Sequence, residues 1–167
     1  ICDTCLKHNP GLLIYFDMEL FQDLYFTVDV FEHLLTLEKY KKLQFGIALQ
    51  AYLPQSFDCQ KKLTALGLTR VENDGAAIRV RLVKGANKQL ESILASQQFQ
   101  DSPIYSKKSL VDANFKRMIQ YGIVTRHAHA VHLGIGSHNI FDIAFTLLER
   151  SEKNTESFIS FEMIYGM

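Results

Sequence analysis

Short apolar runs alternate along the chain with longer segments of mixed polarity. We interpret five of these runs as strands: 12–17, 45–53, a run that starts at Ala76 and ends before Lys84, 131–136 and 158–165. The runs are apolar almost without interruption, which is typical of strands in a parallel sheet that is covered on both faces.

The segments between the runs show the spacing of amphipathic helices. One face of a predicted helix over 21–40 is formed by Leu24, Val28, Phe31, Leu34 and Leu35. Further helices are predicted over 58–70, 88–98, 111–121 and 141–149, and Ser137 or Asn139 is expected to cap the last one. Strict alternation of strands and helices predicts an α/β fold, either an open doubly wound sheet or a (β/α)8 barrel.

Polar residues collect where the predicted strands end. They are Asp17, Gln50, Arg81 with Lys84, Ser137 with His138, and Glu162 with Tyr165. Barrel enzymes assemble their sites at this edge, and no glycine-rich nucleotide-binding motif follows any strand. Because an eight-stranded barrel takes about 250 residues, five strands predict only part of one, or an open sheet.

The central run, residues 76–88, places cations beside a glycine at a strand end, which suits an anionic ligand. Arg81 is either a site residue or a strand-end arginine paired with a carboxylate such as Asp17. Arg79 lies one repeat deeper on the same face, and we expect it to form a structural ion pair at the lower rim.

The amino-acid composition argues against several classes of function. The chain has 167 residues, 47% of them hydrophobic, which suffices for one domain with a core. Eighteen basic residues balance eighteen acidic ones, so nucleic-acid binding is not predicted. No apolar stretch reaches the length of a membrane span and nothing resembles a targeting peptide, so we expect a cytoplasmic protein, or one at the inner face of a membrane.

Cysteine and histidine residues leave two minor alternatives. Three cysteines without a secretory signal argue against a disulfide framework, and the C-x-x-C of Cys2 and Cys5 is either incidental or a metal or redox pair. His127, His129 and His132 invite a zinc interpretation, but two of them precede the strand. No metal site is predicted.

Six sequence blocks, in order, resemble the proline dehydrogenase family, and most closely the proline dehydrogenase domain of its bifunctional bacterial members. The blocks are YFDME (15–19), GIALQAYL (46–53), IRVRLVKGA (78–86), VDANF (111–115), GIGSHN (134–139) and FEMIYGM (161–167). The resemblance implies a partial (β/α)8 barrel. Residues 1–10 are then a lead-in, and 11–167 form the central part of the barrel, incomplete at both ends.

The resemblance also implies a reaction. Family members hold FAD and oxidise L-proline to 1-pyrroline-5-carboxylate in proline catabolism, by transferring a hydride to flavin N5 and then electrons to a quinone. The implied partners are L-proline, a quinone, a fused pyrroline-5-carboxylate dehydrogenase domain and, for the full protein, the periphery of a membrane.

Site residues follow from the same resemblance. It implies catalytic roles for Arg81 and Asp17, cofactor contacts for Gln50, Arg81, Lys84, Gly85, Ala86, Ser137, His138 and Asn139, and substrate contacts for Asp17 and Ile164. A guanidinium beside N5 would stabilise the negative charge that develops on reduction.

Some positions depart from the family pattern. Asn87 and Lys88 replace an aromatic pair, and Glu162 stands where many members have glutamine. The arginines that bind the proline carboxylate and the lysine that binds its amine fall outside these residues, so we expect little turnover from 1–167 alone.

Two other functions stay open from the sequence. Lys84 could form a Schiff base in a barrel aldolase. A degenerate barrel piece could instead act as an interaction module whose exposed sheet edges pair with another chain.

Overall fold

The computed structural model describes residues 1–9 and 11–166. Pro10 and Met167, which end the predicted lead-in and barrel segments, lie outside the described residues. The described part contains five strands: β1 Leu13–Phe16, β2 Gln44–Gln50, β3 Ile78–Val83, β4 Val131–Gly136 and β5 Ile159–Glu162. Every neighbouring pair is parallel, and the strands lie side by side in chain order.

Helices connect successive strands. Within the described residues they are α1 Cys2–His8, α2 Phe21–Thr36, α3 Ser56–Glu72, α4 Lys88–Gln97, α5 Lys108–Ile123, α6 Thr125–Ala130 and α7 Ile140–Glu152. The predicted α/β class with parallel strands is confirmed. A strand order that never reverses is that of a barrel portion, whereas a doubly wound sheet contains a switch point, so that alternative is wrong.

The two faces of the sheet differ in chemistry. Along β3, Ile78, Val80 and Leu82 are buried in a core that they share with Phe115 of α5, while Arg79, Arg81 and Val83 point to the opposite face. Burying each of these large apolar side chains contributes about 1.5–3 kcal/mol. The helices therefore cover the apolar face, and the polar inner face is left to form a site.

Two element boundaries differ from the prediction. β2 ends at Gln50 and not at 53, because Ala51 and Tyr52 turn away while donating to the carbonyls of Val83 (2.8 Å) and Lys84 (2.9 Å). The predicted strand 158–165 is observed only over Ile159–Glu162, since Phe158 ends a 3-10 turn and Tyr165 is fully exposed.

Two short helices were not predicted. The lead-in predicted over 1–10 contains α1, whose Asp3 binds Lys39 at 2.9 Å and Tyr40 at 2.7 Å. α6 carries His127 and His129. Six or seven residues are too few to show a helical period. In the described part of the chain, no helix combines the length and the apolar character needed to cross a bilayer.

Candidate functional site

A cavity of about 1000 Å³ opens at the carboxyl ends of the strands. It is lined by every residue to which the resemblance assigned a role: Asp17, Gln50, Arg81, Lys84, Gly85, Ala86, Ser137, His138, Asn139 and Ile164. Parallel strands end at one edge of a sheet, so residues far apart in sequence meet there. The structure brings these residues together, and their individual roles remain predictions.

Arg81 occupies the wall of this cavity in an ion pair. Its Nε donates to Glu162 Oε2, and its Cζ lies 4.2 Å from the centre of the Tyr15 ring. Burial works against the charge, but the Glu162 carboxylate outweighs it and raises the pKa of Arg81. The expected pairing with a carboxylate is thus observed, but the suggested partner Asp17 was wrong.

Tyr15 completes this cluster. Its hydroxyl donates to Glu162 Oε1 at 3.2 Å. Burial, and after it the neighbouring Glu162 carboxylate, raises the pKa of Tyr15, so the phenol stays neutral at physiological pH. Sequence reasoning missed this role of Tyr15, because the residue lies inside an apolar strand.

Arg79 does not form the predicted ion pair at the lower rim. Among residues 1–9 and 11–166, no carboxylate lies within 4.0 Å of its guanidinium. In the sheet register Arg79 stands between Gly46 and His132, neither of which carries a negative charge. Arg79 therefore faces the interior without a compensating carboxylate in this part of the chain.

Lys84 is tied to two helices. Its Nζ lies 2.6 Å from Asp112 Oδ1 on α5 and 2.7 Å from Asp142 Oδ2 on α7. Burial favours the neutral amine, but the two carboxylates prevail and raise the pKa of Lys84. A Schiff-base lysine needs a lowered pKa, so this geometry argues against the aldolase alternative. A direct contact between its ammonium and a cofactor is also less favoured.

Gly85 shapes the turn after β3. Its φ is +114°, which side-chain-bearing residues rarely adopt, and an added Cβ would lie 2.6 Å from the Tyr52 ring. The Tyr52 ring is held in place by a 3.3 Å hydrogen bond from its hydroxyl to the Glu19 carbonyl. Glycine is therefore required at position 85, where the backbone turns along the cavity wall.

The segment after β4 is ordered by side-chain hydrogen bonds. Asn139 Oδ1 accepts from the N–H groups of Phe141 (2.9 Å) and Asp142 (3.3 Å), so Asn139 is the cap of α7. Ser137 instead donates to Asp142 Oδ2 at 2.9 Å. His138 Nε2 accepts from the Ile164 N–H at 3.3 Å and so joins the ends of β4 and β5.

Gln50 and Asp17 lie at the ends of β2 and β1. Gln50 is 4% exposed, and its Nε2 donates to the Met18 carbonyl at 2.8 Å, which fixes the amide beside the cavity. An acidic residue shortly before a helix, as Asp17 is before α2, is also a candidate cap of that helix. Asp17 does not have that role, because Glu91 Oε1 accepts the 2.6 Å hydrogen bond from the Phe21 N–H at the start of α2.

The sequence analysis missed several acidic residues that hold the residues around the cavity in place. Glu91 is 3% exposed although it lies on a helix whose polar residues were expected to face solvent. Asp112 stands inside the VDANF block, but only the fold shows that it pairs with Lys84. Asp142 gave no signal either. Each of these partners depends on helix packing that sequence spacing does not encode.

The histidines do not converge. His127 Nδ1 lies 2.8 Å from the Tyr121 carbonyl, whereas the rings of His129 and His132 lie 4.4 Å and 5.3 Å from that of Phe158. Within the described residues, no three histidine, cysteine or acidic side chains form a group that could hold a metal ion. The zinc alternative therefore has no geometric support.

Comparison with known families decides the assignment. The family model described as proline dehydrogenase matches residues 1–167. The chain belongs to the proline dehydrogenase family. This membership argues against both the aldolase and the interaction-module alternatives. No sequence among the curated proteins matches the chain.

Solved structures support the same assignment. Proline utilization A from Corynebacterium freiburgense is similar over 99% of this chain, with 38% identity and a TM-score of 0.95. Proline utilization A from Bdellovibrio bacteriovorus, inactivated by N-propargylglycine, is similar over 93%, with 32% identity and a TM-score of 0.84. The chain spans only 17% and 16% of the length of these two proteins.

Proposed function

We propose that this chain is part of an FAD-dependent proline dehydrogenase that oxidises L-proline to 1-pyrroline-5-carboxylate, with residues 11–167 as the central part of its barrel. One observation carries the proposal: in a member of this family, a single cavity brings together all ten residues that the resemblance selected from the sequence. The alternating strands and helices place that cavity where barrel enzymes bind their ligands.

The residues present fit FAD. The cavity volume of about 1000 Å³ is at the upper end of the range for small-molecule sites. The backbone of Gly85 and Ala86 forms a cradle along the cavity wall, and the positive φ at Gly85 sets its turn. The cavity wall combines an anchored amide, a cation and apolar side chains such as Phe161.

Three groups of residues would hold the cofactor: Gln50 with Arg81, the backbone of Lys84, Gly85 and Ala86, and the segment Ser137, His138 and Asn139. The Lys84 ammonium is already occupied by Asp112 and Asp142, so we assign this residue to the cradle through its backbone. When bound, the flavin accepts the hydride from proline and passes the electrons to a quinone.

The protein's own contribution to this chemistry is preorganised charge. Arg81 is held beside the cavity by Glu162 and Tyr15, so its cation needs no rearrangement when negative charge develops next to it. Gln50 is fixed in the same way by its bond to Met18. Both side chains are therefore set before the ligand binds.

Substrate contacts are proposed for Asp17 and Ile164, which also line the cavity. The Asp17 carboxylate would attract the positively charged amine of proline, and Ile164, whose side chain is exposed at the cavity, would cover the ring methylenes. Because the chain spans a small part of its relatives, we propose the quinone acceptor, a fused pyrroline-5-carboxylate dehydrogenase domain and a cytoplasmic location at a membrane periphery for the whole protein only.

The test uses the protein expressed from its native gene. We expect the purified protein to show a flavin absorbance spectrum and to reduce an artificial electron acceptor when L-proline is added, with 1-pyrroline-5-carboxylate as the product identified by mass spectrometry. A colourless protein without proline-dependent reduction would contradict the proposal.

A matched pair of variants locates the cofactor on the sheet. Gln50 and Gln44 lie on the same face of β2, Gln50 at its carboxyl (upper) end and Gln44 at its amino (lower) end. Gln50→Leu should weaken flavin retention on gel filtration, while Gln44→Leu should retain flavin like the parent protein. Equal retention by both variants would remove Gln50 from the site.

A further inference from the structure

Two residues from the two outer strands of the sheet contact Arg81 on the same face. Arg81 lies on the central strand β3, Glu162 on β5 and Tyr15 on β1, so each partner crosses one intervening strand. Glu162 receives the Arg81 Nε–H on one oxygen and the Tyr15 hydroxyl on the other. Tyr15 also makes a cation–π contact with Arg81, whose Cζ lies 4.2 Å from the centre of the ring.

Two glycines make this convergence sterically feasible. An added Cβ at Gly46 on β2 would lie 2.7 Å from the Tyr15 ring, and one at Gly134 on β4 would overlap the Glu162 carboxylate. Gly134 is also the register partner of Arg81. The strands that separate the three residues thus carry no side chain where the partners pass over them.

The contacts determine how Arg81 is presented. The ion pair engages Nε, and the Tyr15 ring lies against the guanidinium, with its centre 4.2 Å from the guanidinium carbon. Among residues 1–9 and 11–166, the hydrogen bonds of Arg81 involve Nε alone, so both terminal nitrogens remain for a ligand in the cavity. The Arg81 and Glu162 side chains are 31% and 22% exposed, so solvent screens the pair only partly.

We propose that Glu162, oriented by Tyr15, is a positioning residue that fixes Arg81 at the cavity wall and offsets part of its charge, and that it thereby lowers the reduction potential of the bound flavin. The inference rests on the proposed function, because it requires a flavin next to Arg81. Hydride transfer adds negative charge to the flavin, which a nearby cation favours and a nearby carboxylate opposes.

The decisive variant is Glu162→Gln in the protein expressed from its native gene. Glutamine keeps the shape and an oxygen that can accept from Arg81 Nε, but it removes the negative charge. At a fixed solution potential, the ratio of reduced to oxidised flavin should rise about tenfold, which corresponds to about 30 mV for a two-electron couple. The readout is a spectroscopic redox titration, independent of turnover.

A second variant approaches the same ion pair from another strand. Gly134→Ala should push the Glu162 carboxylate away from Arg81 without changing the charge of the protein, so the potential should rise by less than in Glu162→Gln. Glu38→Gln is the charge-matched control, since Glu38 is exposed and pairs with Lys41 on the protein surface. Its potential should equal that of the parent protein.

The outcomes separate the two proposals. A rise in both Glu162→Gln and Gly134→Ala, with Glu38→Gln unchanged, supports the role of Glu162. Flavin that binds normally but keeps the parent potential in Glu162→Gln overturns this inference and leaves the proposed function intact. A parent protein that binds no flavin overturns both. Should Glu162→Gln fail to fold, the potential of Gly134→Ala decides alone.

Discussion

Arg79 and Arg81 occupy one strand and one face, about 6.6 Å apart, yet their surroundings are opposite. Arg81 borders the cavity and is held by Glu162 and Tyr15. Arg79 has no carboxylate neighbour in the described part of the chain, and its register partner on β4 is His132. A two-residue step along β3 therefore separates a compensated cation from an uncompensated one.

The same contrast holds for the two ends of the inner face. At the carboxyl ends of the strands, Lys84 is matched by Asp112 and Asp142, as Arg81 is by Glu162. At the amino ends, His132 packs against Phe158 instead. The cations at the carboxyl ends are paired and fixed, whereas Arg79 at the amino ends has no carboxylate partner among the described residues. This contrast supports the proposal that the ligand binds at the carboxyl ends of the strands.

The largest effect is expected from removing each arginine in turn. Arg81→Met removes a preorganised cation from the cavity, so kcat/KM for L-proline should fall about 10²–10³-fold, as for other single electrostatic contacts at reacting atoms. Arg79→Met, the matched change one repeat lower, should leave kcat/KM unchanged within error. Steady-state kinetics on both variants checks this, and an equal loss in Arg79→Met would abolish the distinction between the two ends.

A smaller effect is expected on stability at the upper end. Lys84→Met leaves Asp142, whose side chain is 5% exposed, without its cation and should cost about 2 kcal/mol of unfolding free energy. The double variant Lys84→Met with Asp142→Asn should recover part of that loss. The measurement is urea denaturation monitored by circular dichroism.

The control for Lys84 is a surface pair. Lys61 and Asp58 are just as close, at 2.6 Å, but their side chains are 47% and 77% exposed. Lys61→Met should therefore leave the unfolding free energy unchanged. If Lys84→Met also left the free energy of unfolding unchanged, the ion pairs of Lys84 would not contribute to stability.

The smallest effect concerns pH at the lower end. Burial, and next the charge of Arg79, holds the pKa of His132 below its usual range. As pH falls below about 6.5, the unfolded chain binds this proton before the folded one, so stability should decrease with falling pH until the folded pKa is passed. His132→Asn should flatten this slope between pH 7 and 5 in thermal unfolding experiments.

A variant of Arg79 tests whether His132 causes this dependence of stability on pH. Arg79→Met removes one of the three causes that lower the pKa of His132 and leaves burial and the charge of His129, so the pH dependence should become weaker but not vanish. A slope that stays the same in both variants would show that His132 does not contribute to it.

The sequence predicted the elements of the barrel portion because its strands are continuous apolar runs. It also predicted that the residues with assigned roles would meet at one edge of the sheet, because parallel strands end there. It could not predict that Arg81 binds Glu162, 81 residues away, since this contact depends on strand register and on the absence of a side chain at Gly134. The expected ion pair of Arg79 was wrong because the strand register places Gly46 and His132 beside it, and neither residue is acidic.

Helix packing set a second limit. Whether Ser137 or Asn139 would cap α7 depended on side-chain rotation, and the position of Asp142 drew Ser137 away from the helix start. Lys84 was predicted as a cofactor contact from its place in a motif. Its two carboxylate partners come from α5 and α7, whose docking onto the sheet could not be inferred from spacing.

The most direct test is a crystal structure of the protein, expressed from its native gene, with bound flavin. The account predicts electron density for the isoalloxazine ring at the carboxyl ends of the strands, in contact with Gln50 and Arg81, with the Arg81–Glu162 ion pair retained. A ring located beside Arg79 and His132, or well-ordered protein with the upper cavity filled by solvent alone at saturating FAD, would contradict it.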